Sequence, residues 1–449
     1  MSTIEKHDMT QGKILLPLVS FTIPLVLGNL FQLTYNAADS VIVGKYVGEQ
    51  ALAAVGTSTP IMNIAILLIS GMCMGASVLM SSQYGAKDYD TLSRQISTTM
   101  LAGCGFSVVF SLLMLLLANP VLRLIRVPET AIPEAAAYLR IIFMGLIFTF
   151  MYNFLANTMR ALGDSTTPLY FLVASSVLNI IGDLFFVVVL RWGVAGSAIA
   201  TVCSEGLCCL LCGIYIKKKI PLLCLGKKWW VFDKSLLGKT VSYGSTSAMQ
   251  QVCLQLGKLI IQSVVNTQGV AVMAAFTAVN RVDDFAYTPQ QNIGHAMTTF
   301  LAQNKGAGHK ERMKKGFQTG LLIELVYSIG LFCVIWGLAP QIMTLFAEDG
   351  DAQVVSLGIS YLHLISWMYI LPGLTNGVQG FFRGIGDLKV TLYSTFMNMF
   401  GRVVAVFVMI RLLQMEFASL AWANMVGWIV MLLFEVPLLV KSMRNGECG

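Results

Sequence analysis

Acidic residues inside long apolar segments are the side chains of this sequence best placed to do chemistry. They are Asp39, Asp183, Glu205, Asp283, Asp284, Glu324 and Glu435. Burying an ionised carboxylate among apolar groups is costly, so such residues are by default functional. Two carboxylates that share a low-dielectric site resist double ionisation. A pair of these acids can therefore hold a proton or attract a cation such as Na⁺.

The segments that carry these acids are predicted to cross a membrane. The 449-residue chain is 56% hydrophobic and only 12% charged, whereas a soluble domain has about 25% charged residues. Its apolar runs are long enough to cross about 30 Å of hydrocarbon. We predict twelve spans, at about 14–44, 52–82, 95–119, 136–160, 168–190, 194–216, 239–265, 271–303, 316–339, 355–382, 389–411 and 417–440. This composition excludes a disulfide scaffold, a disordered chain and a nucleic-acid-binding module.

Lys and Arg residues indicate how the spans are oriented. With twelve spans both termini share one side, and the termini and connections on that side carry 21 Lys and Arg residues, against six on the other side. Positive charge is concentrated on the cytoplasmic side of membrane proteins. We therefore expect both termini to be cytoplasmic. Residues 1–13 lack the features of a cleaved signal peptide, so the first span is expected to be retained.

Turn motifs recur in the two halves of the chain. Gln83-Tyr84-Gly85-Ala86 follows span two and Gln303-Asn304-Lys305-Gly306-Ala307 follows span eight, while Arg-x-x-Gly-Asp follows spans four and ten at Arg160 and Arg383. We therefore predict an all-α integral membrane protein with twelve transmembrane helices in two pseudo-twofold-related six-helix bundles. The lobes are 1–216 and 239–449, joined by a cytoplasmic linker at 217–238. This plan is typical of alternating-access transporters, although duplicated membrane proteins without transport activity also exist.

A source of energy other than ATP is expected. Asp233 stands where a phosphate-binding loop ending in Gly238-Lys239-Thr240 would need its first glycine. An ion gradient is a sufficient alternative, because one charge crossing 100 mV supplies about 2.3 kcal/mol.

Depth along the predicted helices selects a group of oxygen-bearing residues in the first lobe. At a rise of about 1.5 Å per residue, Asp39, Asp183 and Thr201 lie about 9, 12 and 10 Å from the outer ends of spans one, five and six. Asn179 lies one helical turn from Asp183 on the same face. Pro24 should kink span one, because it removes a backbone hydrogen bond, and would let the span bend as Asp39 gains or loses its cation.

The remaining acids allow simpler interpretations. Glu435 lies near the cytoplasmic end of span twelve and is expected to snorkel to the interface. Glu324 has no evident partner, and we assign it a structural or cavity-wetting role. Glu205, one turn beyond Thr201, is open as a further member of the group in the first lobe.

Motifs along nearly the whole chain resemble those of the multidrug and toxic compound extrusion (MATE) transporters, in their bacterial DinF-like branch. Besides the turn motifs, these are Ile23-Pro24, Tyr35-Asn36-Ala37-Ala38-Asp39 and Ala51-Leu52-Ala53-Ala54-Val55-Gly56. The resemblance implies a cation-coupling site made of Asp39, Asp183, Asn179, Asn153, Thr201 and Tyr138, with Pro24 as the bending proline. It implies no cofactor and no metal beyond a possible Na⁺ at Asp39 and Asp183, and leaves H⁺ and Na⁺ open as the coupling ion.

The resemblance also implies export of amphipathic, often cationic or zwitterionic organic compounds across a bacterial inner membrane. Methionine and aromatic side chains can line a pliable pocket for them. Our candidate substrate contacts are Met249, Gln250, Phe276, Asp283, Asp284 and Tyr287. For the two acids, which follow Arg281, an internal ion pair is the favoured interpretation. The NorM-like branch relies on acids in spans seven and ten that this chain lacks, which argues against a cation site in the second lobe.

Two alternatives remain. A flippase for lipid-linked oligosaccharides of the same superfamily would need a cationic cavity, for which only Lys258, Arg281 and Arg402 are available in the spans. An intramembrane enzyme is disfavoured, because the chain has four histidines and no H-E-x-x-H motif. We therefore expect no enzymatic activity.

Overall fold

The computed structural model describes residues 8–444 except 126, 130, 221–229, 347–351, 413–416 and 418. Residues 221–229 of the predicted linker at 217–238 thus lie outside the described residues. The described chain is built of α-helices joined by short turns. Their bounds are α1 Leu15–Tyr46, α2 Glu49–Gly85, α3 Tyr89–Leu124, α4 Ile132–Ala161, α5 Thr166–Asp183, α6 Gly193–Lys219, α7 Lys234–Val265, α8 Val270–Gly306, α9 Lys310–Phe346, α10 Ala352–Ser366, α11 Ile370–Ile385, α12 Leu388–Phe407 and α13 Ser419–Arg444.

These helices provide the predicted membrane spans. A 3₁₀ turn, Trp367–Tyr369, joins α10 to α11, and the two form one apolar segment. In the described part of the chain, ten segments are long and apolar enough to cross a membrane. α7 and α8 have 32 and 37 residues and are long enough as well, but they carry more polar side chains. The prediction of an all-α integral membrane protein is confirmed.

The chain divides into two compact units. Among the described residues, those of 8 and 23–248 form unit 1, and those of 9–22 and 249–444 form unit 2. The first turns of α1 and the second half of α7 therefore belong to unit 2. Pro24 lies inside α1, two residues after this division, and α1 continues through it as one helix.

Unit 1 is organised around α4, whose buried side chains include Phe143 and Phe154, and which packs against α2, α3 and α6. At the start of α3, Asp88 accepts a hydrogen bond from the backbone N–H of Thr91 at 3.1 Å. This is a helix N-cap. Hydrogen bonds from the Thr91 side chain and backbone hold the pKa of the Asp88 carboxyl below its ordinary value.

Unit 2 depends on a close approach of α8 and α11. A Cβ on Gly294 would lie 2.9 Å from the Asn376 carbonyl oxygen, and one on Gly380 would lie 2.7 Å from the Gly294 carbonyl oxygen. Small residues of this kind let membrane helices pack backbone to backbone. The segment before α1 is held by Arg312, which donates hydrogen bonds to the carbonyl oxygens of residues 9, 11 and 12.

Candidate cation site

The acid predicted in span five lies where α5 approaches α6 within unit 1. α5 ends at Asp183 and continues as a π-helical turn, Leu184–Val189. A Cβ on Gly182 would lie 3.0 Å from a side-chain atom of α6, and one on Gly196 would lie 3.1 Å from the Phe186 backbone. Glycine at these positions lets α5 pack against α6. This packing leaves Asp183 completely buried.

Asp39 and Asp183 have adjoining carboxyl groups. Ser197 Oγ donates a hydrogen bond to Asp39 Oδ1 at 2.6 Å. The Asp39 carboxyl is also within hydrogen-bonding reach of the Asp183 carboxyl, yet Asp183 receives no hydrogen bond from a donor group of the described chain. Two ionised carboxylates have no proton to share. Their contact is therefore favourable only when one of them carries a proton or a cation lies between them.

Asn179 and Thr201 connect α5 to α6 one helical turn away. Asn179 Nδ2 donates a hydrogen bond to Thr201 Oγ1 at 3.2 Å, and Thr201 Oγ1 donates to the Ser197 carbonyl oxygen at 3.1 Å. Asn179 Oδ1 is buried and has no hydrogen-bond partner among the described groups. The amide thus leaves a free acceptor one turn from Asp183.

Tyr138 and Asn153, both on α4, differ in their relation to the carboxyl pair. The Tyr138 side chain is buried, and its hydroxyl interacts electrostatically with Asp39 and Asp183. Asn153 Nδ2 instead donates to the backbone carbonyl of Thr149 at 2.9 Å. The structure therefore brings four of the six predicted residues together in one group. It directs the hydroxyl of Tyr138 to Met62 Sδ at 3.7 Å and the amide nitrogen of Asn153 to its own helix.

Three polar residues not selected from the sequence also belong to this region. Ser197 is the hydrogen-bond donor to Asp39, and Tyr35 interacts electrostatically with both Asp39 and Glu205. Thr149 Oγ1 donates to Glu205 Oε2 at 2.5 Å. Helical spacing could have indicated two of them, because Ser197 and Tyr35 lie four residues before Thr201 and Asp39.

Oxygen atoms without partners identify what this group of residues can hold. Both carboxyl oxygens of Asp183 and the amide oxygen of Asn179 are buried acceptors without a donor in the described chain. Leaving such acceptors unsatisfied is costly. Carboxylate, amide and hydroxyl oxygens suit a proton or a hard cation. We call the group formed by Asp39, Asp183, Asn179, Thr201 and Ser197 the candidate cation site.

The predicted substrate contacts in unit 2 lie in different environments. Met249 is 57% exposed and lines an apolar groove of about 740 Å³ between α7 and α12. Gln250 is buried and donates hydrogen bonds to Gln379 and Thr395 at 3.1 and 2.9 Å. Phe276 is packed in the hydrophobic core. These three residues therefore do not share one surface.

Asp283 and Tyr287 belong to a buried aromatic cluster. Tyr369 Oη and Tyr361 Oη donate hydrogen bonds to Asp283 at 2.5 and 3.2 Å. The ring of Tyr287 packs edge-to-face against Tyr369 and Trp428, with centroids 5.4 and 5.8 Å apart. Asp283 is thus satisfied by phenolic hydroxyls.

The prediction that Asp283 and Asp284 form an ion pair with Arg281 is wrong. Lys258 Nζ lies 3.3 Å from Asp284 Oδ1, so the exposed acid pairs with a residue of α7. Consecutive residues of a helix point in different directions, and Asp283 and Asp284 consequently meet different helices. Lys258 is one of the three cations that a flippase cavity would need, and Asp284 already compensates its charge.

The expectation that Glu435 snorkels to the interface is also wrong. The residue is completely buried, and its carboxyl lies within reach of the Ser394, Gln379 and Arg383 side chains. The reason is that α13 packs against both α11 and α12 in this region.

Comparisons with known proteins agree with this architecture. The family model for MatE matches residues 24–185 and 247–409, once in each half of the chain. Probable multidrug resistance protein YpnP of Bacillus subtilis (strain 168) is 32% identical over 392 residues, which cover 87% of this chain and 86% of that protein. Multidrug export protein MepA of Staphylococcus saprophyticus is 20% identical over 85% of this chain and 83% of its own length.

Solved structures show the same fold. A MOP superfamily transporter from Pyrococcus furiosus matches with a TM-score of 0.90 and 21% identity over 99% of both chains. A multidrug resistance MATE family transporter in an outward-facing conformation matches with a TM-score of 0.90 and 21% identity over 100% of this chain and 99% of that one. The matches of the family model and the relatives confirm the resemblance seen in the sequence motifs. The chain belongs to the MatE family of multidrug and toxic compound extrusion transporters.

Proposed function

We propose that this protein is a secondary active antiporter that exports amphipathic, often cationic organic compounds in exchange for H⁺ or Na⁺, without ATP, across a bacterial plasma membrane. The single observation that carries the proposal is the contact between the carboxyl groups of half-buried Asp39 and buried Asp183, which is favourable only with a proton or cation bound. The relatives described as multidrug resistance and export proteins support the class of substrate.

The coupling follows from the two states of the candidate cation site. With an ion bound, Asp39 and Asp183 adjoin; without it, their repulsion favours another arrangement of α1 relative to α5. A ligand shifts an equilibrium between conformations by its difference in affinity for them. Pro24 gives α1, which carries Asp39, a point at which it can bend. One charge moved across 100 mV supplies about 2.3 kcal/mol, enough to sustain a roughly 50-fold gradient of a substrate that carries no net charge.

Dye efflux from proteoliposomes tests this proposal. Proton and sodium gradients are imposed separately, without nucleotide, on the wild type, Asp39→Asn and the control Asp90→Asn, which removes an exposed acid from the first turn of α3. We expect efflux by the wild type and the control to follow one of the gradients, and efflux by Asp39→Asn to fall to the rate measured without a gradient. Undiminished, gradient-dependent efflux by Asp39→Asn would refute the role of the carboxyl pair.

A further inference from the structure

A further buried carboxyl without hydrogen-bond partners in the described chain lies in unit 2. Glu324, on α9, is 1% exposed, and neither of its carboxyl oxygens has a hydrogen-bond partner in the described chain. Gln290, on α8, is completely buried, and its Oε1 also lacks a partner there. The two side chains converge on Gly373 of α11, where an added Cβ would lie 3.4 Å from Glu324 Oε2 and 3.2 Å from Gln290 Nε2.

The hydrogen-bond donors around Glu324 are already engaged by other acceptors. Gln290 Nε2 donates to Ser328 Oγ at 3.1 Å and to the Tyr369 carbonyl oxygen at 2.8 Å, which uses both of its hydrogens. Ser328 Oγ lies 2.7 Å from the Glu324 backbone carbonyl and 3.3 Å from that of Tyr369, so its single hydrogen is directed to the backbone. The carboxyl oxygens are left without a donor.

The charged and titratable groups around Glu324 do not compensate an ionised carboxylate. Tyr327, on the same helix, donates its hydroxyl to the Ala286 carbonyl oxygen at 3.1 Å. The Tyr369 hydroxyl, from the 3₁₀ turn, donates to Asp283 of α8. No cationic side chain in the described ranges forms an ion pair with Glu324. A buried carboxylate in such surroundings is strongly unfavourable.

We propose that Glu324 is a second proton-binding site of this transporter, in which the carboxylic acid donates its proton to Gln290 Oε1 and exchanges it during the transport cycle. The proton supplies the missing donor and satisfies both orphaned groups at once. A metal ion would need several oxygen ligands, whereas the free oxygens found there among the described residues are those of the carboxyl and one amide. The exchange step rests on the proposed antiport function; the binding of the proton does not.

The position of Glu324 gives its proton a structural effect. Tyr369 is the last residue of the 3₁₀ turn between α10 and α11. Its carbonyl oxygen accepts hydrogen bonds from the side chains of Gln290 and Ser328, which lie beside Glu324. Short 3₁₀ stretches within helices often mark hinges, and interrupted membrane helices are where transporters bind coupling ions. Loss of the proton would therefore change the conformation of the α10–α11 junction first.

Infrared difference spectroscopy on the full-length protein in lipid nanodiscs tests proton binding without transport. We expect a carbonyl band of a protonated carboxylic acid that is present in the wild type and absent in Glu324→Gln. The control Glu311→Gln removes an exposed acid from the first turn of the same helix and should keep the band. If Glu324→Gln does not fold, Glu324→Asp should shift the band. A spectrum in which neither variant changes the band would overturn the proposal.

The number of protons exchanged per substrate tests the exchange step. The ratio is obtained from reversal voltages in proteoliposomes under an imposed pH gradient. We expect Glu324→Gln to lose one proton per substrate, and Glu324→Asp and Glu311→Gln to keep the wild-type ratio. An unchanged ratio in Glu324→Gln would overturn the exchange. If wild-type efflux follows no ion gradient, antiport itself fails, while the infrared band still decides whether Glu324 binds a proton.

Discussion

At the scale of single residues, the two acids of the candidate cation site differ in their hydrogen bonding. Asp39 receives a hydrogen bond from Ser197, whereas Asp183 receives none from the described chain. The two carboxyls are therefore not equivalent, although the sequence places both in apolar segments. Asp39 is the better prepared to carry charge, because a hydrogen bond to a charged group stabilises it by about 1.5–3 kcal/mol.

Removing the Ser197 hydroxyl should impair coupling. In Ser197→Ala the ionised form of Asp39 loses its donor, so release of the coupling ion becomes less favourable. We expect gradient-driven dye efflux to fall by about tenfold, which corresponds to about 1.4 kcal/mol. Ser197→Thr keeps a hydroxyl and should restore most of the rate. The control is Ser176→Ala on α5, whose hydroxyl donates a hydrogen bond to the Leu172 carbonyl oxygen of its own helix. Equal losses in both alanine variants would contradict the assignment.

At the scale of helices, glycine determines where backbones meet. Gly71, on α2, faces the part of α7 that belongs to unit 1, and an added Cβ would lie 2.6 Å from the Ala248 Cα. A side chain cannot be accommodated at that distance without moving a backbone. Gly56, on the same helix, has open space around the position of its Cβ.

A pair of alanine substitutions separates packing from helix propensity. Gly71→Ala should lower the free energy of unfolding by about 1–3 kcal/mol, the usual cost of overpacking. Gly56→Ala should leave it unchanged or raise it by up to about 1 kcal/mol, because alanine is the better helix former. Thermal unfolding in detergent measures both, and a Gly71→Ala variant as stable as Gly56→Ala would show that α2 and α7 do not approach as described.

Bending of α1 is a second property at the scale of helices, besides their packing. Pro24 cannot donate a backbone hydrogen bond inside α1, whereas alanine can. We expect Pro24→Ala to straighten and stiffen α1, and to reduce gradient-driven dye efflux while the protein stays folded by size-exclusion chromatography. Pro60→Ala is the matched control, since Pro60 also lies inside a helix, α2. Full transport by Pro24→Ala would remove the hinge from the mechanism.

At the scale of the whole molecule, the chain is a duplication whose two halves differ in the positions of their buried acids. The same family model matches both halves, yet the buried acids of the two units lie in different surroundings. Unit 1 pairs Asp39 with Asp183, whereas unit 2 surrounds Asp283 with tyrosines and leaves Glu324 beside Gln290. Both halves thus match one family model, although their buried acids have different partners.

The charge distribution predicts the orientation of the whole chain. Green fluorescent protein becomes fluorescent in the cytoplasm, so a fusion to the C-terminus after Gly449 should be bright. A fusion to a chain truncated after Trp192, in the turn between α5 and α6, should be dark. Alkaline phosphatase at the same two positions should give the opposite pattern. A dark C-terminal fusion with high phosphatase activity would reverse the topology.

The sequence by itself determined the class of the protein, its helices, its duplication and most of the candidate cation site. Helix length and apolar runs follow from local composition, and the period of a helix gives the depth and face of Asp39, Asp183, Asn179 and Thr201. Only the tertiary structure decided which helix each face meets. It paired Asp284 with Lys258, buried Glu435, and brought Glu324 next to Gln290. Helical spacing fixes the direction in which a side chain points. Which residue it contacts depends on how closely helices that are far apart in the sequence pack against each other.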